Sequence, residues 1–91
     1  DKVDEIIQRV LRDEINPAFF DESYIAIQEN LMPDWYHKEI GLSKVRLALT
    51  DTLDNGTPMG RAVAKRAAHS IVTKIVNAIE QESNTATSDN S

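Results

Sequence analysis

One long, alanine-rich stretch limits the fold of this chain more than any other sequence feature. It begins at Thr57-Pro58, where threonine suits the capping position of a helix and proline suits its first turn. No glycine follows Gly60, and apolar residues recur at helical spacing as far as Gln81. The apolar face comprises Val63, Ala67, Ile71, Ile75 and Ala78, widened by Ala64, Ala68, Val72 and Ile79. This pattern predicts a long C-terminal helix that forms the spine of the fold.

The first third of the chain predicts two shorter helices. Residues 3–15 combine apolar and charged side chains at helical spacing, and Asn16-Pro17 ends this helix because the residue before a proline disfavours helical backbone. Residues 19–32 predict a second helix, capped by Asn16 or Asp21 and closed by a proline. A strand is the alternative interpretation for residues 24–27 within this segment.

A helical turn and a third helix are predicted in the middle of the chain. Residues 34–39 fit a helical turn with Gly41 as its C-terminal cap. Ser43 is a suitable cap for the third helix, and Asn55-Gly56 ends it. Apolar residues alternate over residues 45–49, which also fits a strand before a tight turn. No clear partner strand follows, so we expect a helix there.

Together these elements predict an all-α fold, a small bundle of four or five helices around the long C-terminal helix. Residues 1–81 are expected to form one helical domain, because a chain of 91 residues can bury a single small core. That core is expected to depend on Val63, Ile71 and Ile75. Residues 82–91 lack side chains able to bury surface, so we expect a disordered C-terminal tail.

Composition excludes several classes of function. The absence of cysteine rules out disulfides and thiol catalysis, and it favours an intracellular location, cytoplasmic or, in a eukaryote, nuclear. No apolar run approaches the roughly 20 residues of a membrane span, so we expect no membrane contact. Motifs for phosphate loops, nucleophile elbows and zinc proteases are missing from the sequence. We therefore expect no catalysis, no cofactor and no small-molecule substrate.

Neither histidine lies in a recognisable chemical site. Asp34, His37 and Glu39 are close together, but no second ligand cluster exists, so we expect a surface turn and no metal site. His69 lies near Lys65 on the predicted long helix, as a phosphotransfer histidine lies near a lysine. The Lys-Gly that typically follows such a histidine is missing, which argues against phosphotransfer.

Charge is divided unevenly along the chain. Residues 1–36 contain nine acidic and three basic side chains, whereas residues 37–79 contain seven basic and three acidic ones. The chain as a whole carries a formal net charge of −5. An acidic front and a basic back predict a charged partner or self-association.

The leading functional hypothesis is a non-catalytic interaction or regulatory domain that binds a protein partner or forms a homodimer. Aromatic side chains are typical of binding hot spots, and those of this chain lie within one short segment. The predicted interface residues are Phe20, Tyr24, Trp35 and Tyr36. Because neighbours on a helix cannot both point inward, one of the adjacent Trp35 and Tyr36 is expected to be partly exposed.

The alternative hypothesis is a DNA- or RNA-binding domain that uses the basic face of the C-terminal helix, over residues 61–77. Basic and polar side chains lie opposite its apolar stripe, and an α-helix fits the major groove of DNA. The candidate contact residues are Lys44, Arg46, Arg61, Lys65, Arg66, His69, Ser70, Thr73 and Asn77. The acidity of the whole chain argues against this hypothesis, because nucleic-acid-binding domains are usually basic.

Overall fold

The computed structural model describes residues 2–54 and 58–90, with side chains described for residues 2–54 and 60–82. The described chain forms four α-helices and two short 3-10 turns. They are α1 (Lys2–Glu14), a turn at Pro17–Phe19, α2 (Phe20–Asn30), a turn at Trp35–His37, α3 (Glu39–Leu53) and α4 (Pro58–Asn90). No strand occurs within these described ranges, which confirms the all-α class.

Both strand alternatives are therefore wrong. Residues 24–27 lie inside α2, and residues 45–49 lie inside α3. In each segment one side faces the core at helical spacing, with Ile27 buried in α2 and Val45 and Leu49 buried in α3. The burial of residues four apart stabilises a helix, whereas a strand would bury alternate residues.

The core joins the apolar faces of the helices. Ile6, Ile7 and Leu11 of α1 are buried together with Leu49 of α3 and Ile75 of α4. Each helix packs against the next one along the chain, and α1 also packs against α4. Among the described residues, no helix combines the length and apolar character that crossing a bilayer requires.

The second predicted helix is divided in the structure. The Asn16 side chain accepts a hydrogen bond from the backbone N–H of Ala18 at 2.9 Å, and it caps the short turn that begins at Pro17. Phe20 then begins α2, so Asp21 lies inside the helix and is not its cap. Proline at the first position of the turn starts it early because its φ angle is already suited to a helical turn.

The predicted boundary between the third helix and the turn before it is wrong. Helix α3 begins at Glu39, so Gly41 is not a cap and Ser43 does not start the helix. A β-carbon at Gly41 would lie 2.7 Å from both Cα and the carbonyl oxygen of Trp35. Gly41 is therefore needed where the helix approaches the backbone of the preceding turn, and it does not end a helix.

The buried face of α4 differs from the predicted stripe. Val63 was predicted to be a core residue, but it is 60% exposed. The buried residues of this helix are Ala64, Ala68, Ile71, Val72, Ile75 and Ile79. All six belong to the predicted apolar face, and Ile71 and Ile75 are confirmed as core residues. Relative to the five residues predicted at its centre, the buried side is rotated by roughly 70° at about 100° per residue, toward the four residues predicted to widen it. The rotation follows from the alanines, which fit either side of the helix equally well.

The start of α4 agrees with the sequence prediction, whereas its end lies beyond the predicted one. Pro58 is the first residue of the helix, as predicted, while Asn55-Gly56 and the predicted cap Thr57 lie outside the described residues. The helix continues past its predicted end to Asn90. Glu82, placed in the tail by the sequence, accepts a hydrogen bond from Arg9 of α1 at 2.5 Å. A disordered tail over the last residues stays a prediction.

Candidate functional site

A groove runs between the outer surfaces of α3 and α4, and its volume is about 720 Å³. These two helices pack against each other more extensively than any other pair among the described residues. Six of the residues predicted to contact nucleic acid line the groove: Arg46, Arg61, Lys65, Arg66, His69 and Ser70. The structure thus brings together side chains from α3 and α4.

The groove has apolar surface between its charged sides. Leu47 of α3 lines it and is 55% exposed, and Ala62 of α4 lies opposite on the same groove. Thr50 is buried, and its hydroxyl donates to the Arg46 carbonyl oxygen at 2.7 Å. Since that hydroxyl is satisfied within α3, the apolar part of the groove depends chiefly on Leu47 and Ala62. We refer to this surface as the α3–α4 groove.

Carboxylates on α3 and directly after its last residue neutralise part of the positive charge at the groove. The guanidinium of Arg61 contacts Asp51 at 2.9 Å and Asp54 at 3.2 Å. The hydrogen bond to Asp51, followed by that to Asp54, raises the pKa of Arg61 above its ordinary value. Arg61 therefore stays positively charged, but Asp51 and Asp54 already neutralise part of its charge.

Arg46 is also paired, but only in part. One terminal nitrogen of its guanidinium lies 3.3 Å from Glu39, whose side chain is well exposed. Its Nε atom is buried and lacks a hydrogen-bond partner among the described residues. Because the Nε atom is shielded from solvent, only the terminal nitrogens of Arg46 can donate to a ligand in the groove.

Lys65 and Arg66 are the free cations of the groove. Both are exposed, and no carboxylate of the described residues pairs with either one. They follow Ala62 by three and four residues, so all three side chains lie on neighbouring positions of the α4 surface. The groove thus presents apolar surface next to two unpaired positive charges.

Three other predicted contact residues lie outside the groove. Lys44 is exposed on α3, and Thr73 and Asn77 are exposed further along α4. The helical wheel placed the polar face of α4 correctly, since Arg66 and Ser70 are exposed as well. It could not show that part of this face borders α3.

The predicted aromatic interface is only partly at the surface. Trp35 is 3% exposed and belongs to the core, so its assignment to an interface is wrong. Its neighbour Tyr36 is partly buried and packs edge-on against it at 5.6 Å, which confirms that one of the pair is partly exposed. Phe20 and Tyr24 are also partly buried, and their rings stack at 6.1 Å. None of these four residues lines the α3–α4 groove.

Tyr24 instead belongs to a polar cluster between α1 and α2. Its hydroxyl donates to the Asp4 carboxylate at 2.5 Å, and the Asp4 carboxylate also accepts from Gln28 at 2.6 Å and Gln8 at 2.9 Å. The hydrogen bond from Tyr24 is the main cause that lowers the pKa of Asp4, and the same bond raises the pKa of Tyr24. This cluster fastens α2 to α1, and no local sequence signal links residues that are so far apart.

The histidines make no metal centre in the part of the chain that the structure describes. No group of three or more metal-ligating side chains is brought together there. The His37 ring packs against Tyr36 at 4.5 Å, and His69 lines the α3–α4 groove.

Leu47 and Ala62 line the α3–α4 groove, but neither was predicted from the sequence as a site residue. One signal was present for Leu47: it lies seven residues after Ile40, and both are apolar residues opposite the buried Val45 and Leu49. Apolar side chains on the outer face of a helix predict an unfilled contact surface. Ala62 carried no such signal, because a single alanine fits any position of a helix.

No known protein family, curated protein or solved structure significantly matches this chain. The function of this chain is therefore inferred from the α3–α4 groove and from the charges around it.

Proposed function

We propose that this chain is a non-catalytic interaction domain, of a regulatory kind, that binds a protein through the α3–α4 groove. The observation that supports this proposal is the exposed Leu47, in a groove of about 720 Å³ that also presents the free cations Lys65 and Arg66. An amphipathic helix laid into an apolar groove is a common mode of protein recognition. Free cations beside such a groove favour acidic partners and increase their rate of association.

The proposal also includes the architecture of the domain, a small bundle organised around the long α4. In that arrangement both walls of the groove belong to helices whose opposite faces are buried in the core, through Leu49 of α3 and Val72 of α4. A preformed groove loses little conformational entropy when a partner binds. Homodimerisation remains part of the proposal, because the same chain carries an acidic surface.

Charge around the groove favours a protein over a nucleic acid. Arg46 and Arg61 contact three carboxylates (Glu39, Asp51 and Asp54), which would repel nearby phosphates. Nucleic-acid affinity at physiological salt depends on several phosphate contacts, and two free cations supply few of them. The apolar surface of Leu47 has no counterpart along a phosphate backbone.

Nucleic-acid binding is the second candidate, and a surface that overlaps the α3–α4 groove favours it. Arg66, Ser70, Thr73 and Asn77 are all exposed on one side of α4. Side chains of these types contact phosphates and base edges, and a single helix can enter the major groove. This surface extends beyond the α3–α4 groove, so the two candidates can be tested separately.

The test is photo-crosslinking in the cells that make the protein. A photoreactive amino acid replaces Leu47, and a matched control carries it at Asp13, an exposed position on α1. We expect protein adducts from position 47, including adducts with a second copy, that are absent from position 13. Nucleic-acid adducts at position 47 would contradict this proposal, and the same photoreactive residue in place of Asn77, which is exposed outside the groove, tests the second candidate. Equal labelling at both positions would overturn it, since the groove would then be ordinary solvated surface.

A further inference from the structure

The outer face of α2 presents one exposed apolar residue, and acidic residues surround it. Ile25 is 54% exposed although it lies in the middle of this helix. Asp21, Glu22 and Glu29 lie four and three residues before it and four residues after it, so they are its neighbours on the helix surface. All three carboxylates are exposed, and none pairs with a cation among the described residues. We call this surface the α2 acidic face.

The α2 acidic face and the α3–α4 groove are complementary in both polarity and charge. Ile25 is a protruding apolar side chain, while Leu47 and Ala62 provide apolar surface in a depression. Unpaired carboxylates flank Ile25 in the α2 acidic face, and the unpaired cations Lys65 and Arg66 flank the apolar part of the α3–α4 groove. Both surfaces are exposed in the same chain, and each alone leaves apolar area in water.

We infer that the α3–α4 groove receives the α2 acidic face of a second copy of the same chain. This self-docking deepens the proposed function and rests on it. Within one chain α2 is held against α1 and α3, so its solvent-facing side does not reach the groove of its own molecule. A second copy supplies an acidic helix face with a central apolar residue, which is the partner chemistry that the groove favours.

The spacing of the charges specifies an antiparallel arrangement of α2 against α4. In α2 the acidic pair Asp21 and Glu22 precedes Ile25, whereas in α4 the basic pair Lys65 and Arg66 follows Ala62. In each helix the charged pair lies about 5 Å along the axis from the apolar residue, at 1.5 Å per residue. With the helices antiparallel, Ile25 meets Ala62 while the acidic pair meets the basic pair.

The same alignment accounts for the third carboxylate. Glu29 lies about 6 Å beyond Ile25, which places it near Arg61 and the amino-terminal end of α4. The amino terminus of a helix attracts negative charge. Because Asp51 and Asp54 already neutralise part of the charge of Arg61, the helix end is the main attraction for Glu29, and the contact gains less there than at Lys65 and Arg66.

Two different surfaces of one molecule make a heterologous contact, which produces chains or rings of copies unless the two contacts are made reciprocally within one dimer. This topology allows a complementation experiment on the pure protein, followed by sedimentation velocity at low salt and high micromolar concentration. The groove variant carries Lys65→Glu and Arg66→Glu, and the face variant carries Asp21→Lys and Glu22→Lys. Ile25→Asp serves as a second face variant, because it leaves the first turn of α2 unchanged.

We expect the wild type to self-associate and each variant alone to associate about tenfold or more weakly, because reversal puts like charges together. An equimolar mixture of the groove variant and Ile25→Asp retains one intact face and one intact groove, while the altered groove and the altered face repel each other, so we expect a one-to-one complex. Lys2→Glu with Lys38→Glu is the matched control for the groove variant, since it changes the net charge by the same amount and in the same direction on exposed residues outside both surfaces. The control is expected to associate like the wild type.

Three results would overturn self-docking: a wild type that stays monomeric, association that persists in both variants, or a mixture that stays monomeric when the wild type assembles. Circular dichroism on each variant establishes that it is folded. A monomeric wild type whose position 47 still crosslinks to a different protein would refute self-docking and leave the proposed function standing. A position 47 that labels no protein would refute both.

Discussion

Gly41 lies within α3 against the backbone of Trp35 in the preceding turn. The absence of a side chain permits this approach, since a β-carbon would lie 2.7 Å from the carbonyl oxygen of Trp35. Trp35 is buried at that point, so the contact also positions the largest side chain of the core. The sequence showed a glycine near a helix boundary, but only the tertiary contact explains why it is there.

We predict that Gly41→Ala destabilises the protein by about 1–3 kcal/mol, because the new methyl group overpacks against backbone that has little room to move. Alanine favours a helix by up to about 1 kcal/mol over glycine, which offsets part of the loss. Urea denaturation measures the free energy of unfolding. Ser43→Ala, an exposed position in the same helix, is the control and is expected to change stability by less than about 0.5 kcal/mol. A stabilised Gly41→Ala variant would contradict the proposed close contact.

The hydrogen bond between Tyr24 and Asp4 has a distinct pH signature. It is the main cause that lowers the pKa of Asp4 in the folded protein. A lowered folded-state pKa stabilises the fold at pH values above the ordinary pKa of aspartate, and this contribution is lost as pH falls through the folded-state value. We predict that Tyr24→Phe raises the pKa of Asp4 toward its ordinary value and reduces the loss of stability in acid.

Titration of the Asp4 carboxylate by NMR measures this effect directly. Gln28→Ala is the matched comparison, because its hydrogen bond to Asp4 also lowers the pKa but contributes less than that of Tyr24. We expect a smaller rise in the pKa of Asp4 in this variant. An unchanged Asp4 pKa in Tyr24→Phe would show that the two side chains do not interact in solution.

At the scale of elements, helix α4 shows which part of a helical pattern is ambiguous. Periodicity correctly predicted a helix that begins at Pro58, and Ile71 and Ile75 are core residues. The predicted face nevertheless included Val63, which is exposed, and left Ala68 at its edge, which is fully buried. Alanines lie on several sides of this helix and are compatible with burial or exposure, so they do not define the orientation of the buried stripe.

Paired substitutions in α4 test the observed orientation. Ile75→Ala is predicted to cost about 2–5 kcal/mol of unfolding free energy, because it leaves a cavity in the core. Val63→Ala is predicted to change stability by less than about 0.5 kcal/mol, since its side chain is mostly in water. Chemical denaturation of both variants gives the comparison. Equal losses from the two substitutions would mean that the helix is rotated back toward the predicted face.

At the scale of the whole molecule, part of the charge asymmetry is neutralised within one chain. Lys74 of α4 contacts Glu14 of α1 at 2.6 Å, and Arg9 of α1 contacts Glu82 of α4. These pairs are partly exposed and join the first helix to the last, and each is worth only about 0–1 kcal/mol. The unpaired charges of the α2 acidic face and of the α3–α4 groove remain available to a second molecule.

Salt concentration is therefore expected to change self-association much more than folding stability. We predict that raising the ionic strength from about 0.1 M to about 1 M, which shortens the screening length from roughly 10 Å to 3 Å, weakens self-association strongly. The same change is expected to move the thermal unfolding midpoint of the dilute protein only slightly, because the core is apolar. Sedimentation and thermal melts over one salt series measure both effects. Association that strengthens with salt would indicate an apolar interface in which the charges play little part.

The sequence alone determined that the chain is helical, where α1 ends near Asn16-Pro17, that α4 begins at Pro58, and that charge is unevenly divided. These features depend on residues close together in the chain, where spacing, proline and capping chemistry act directly. The tertiary structure decided which side of α4 is buried, why Gly41 lies inside a helix, and which cations remain unpaired beside Leu47. Those features depend on packing between separate helices, and local periodicity does not specify how two helices meet.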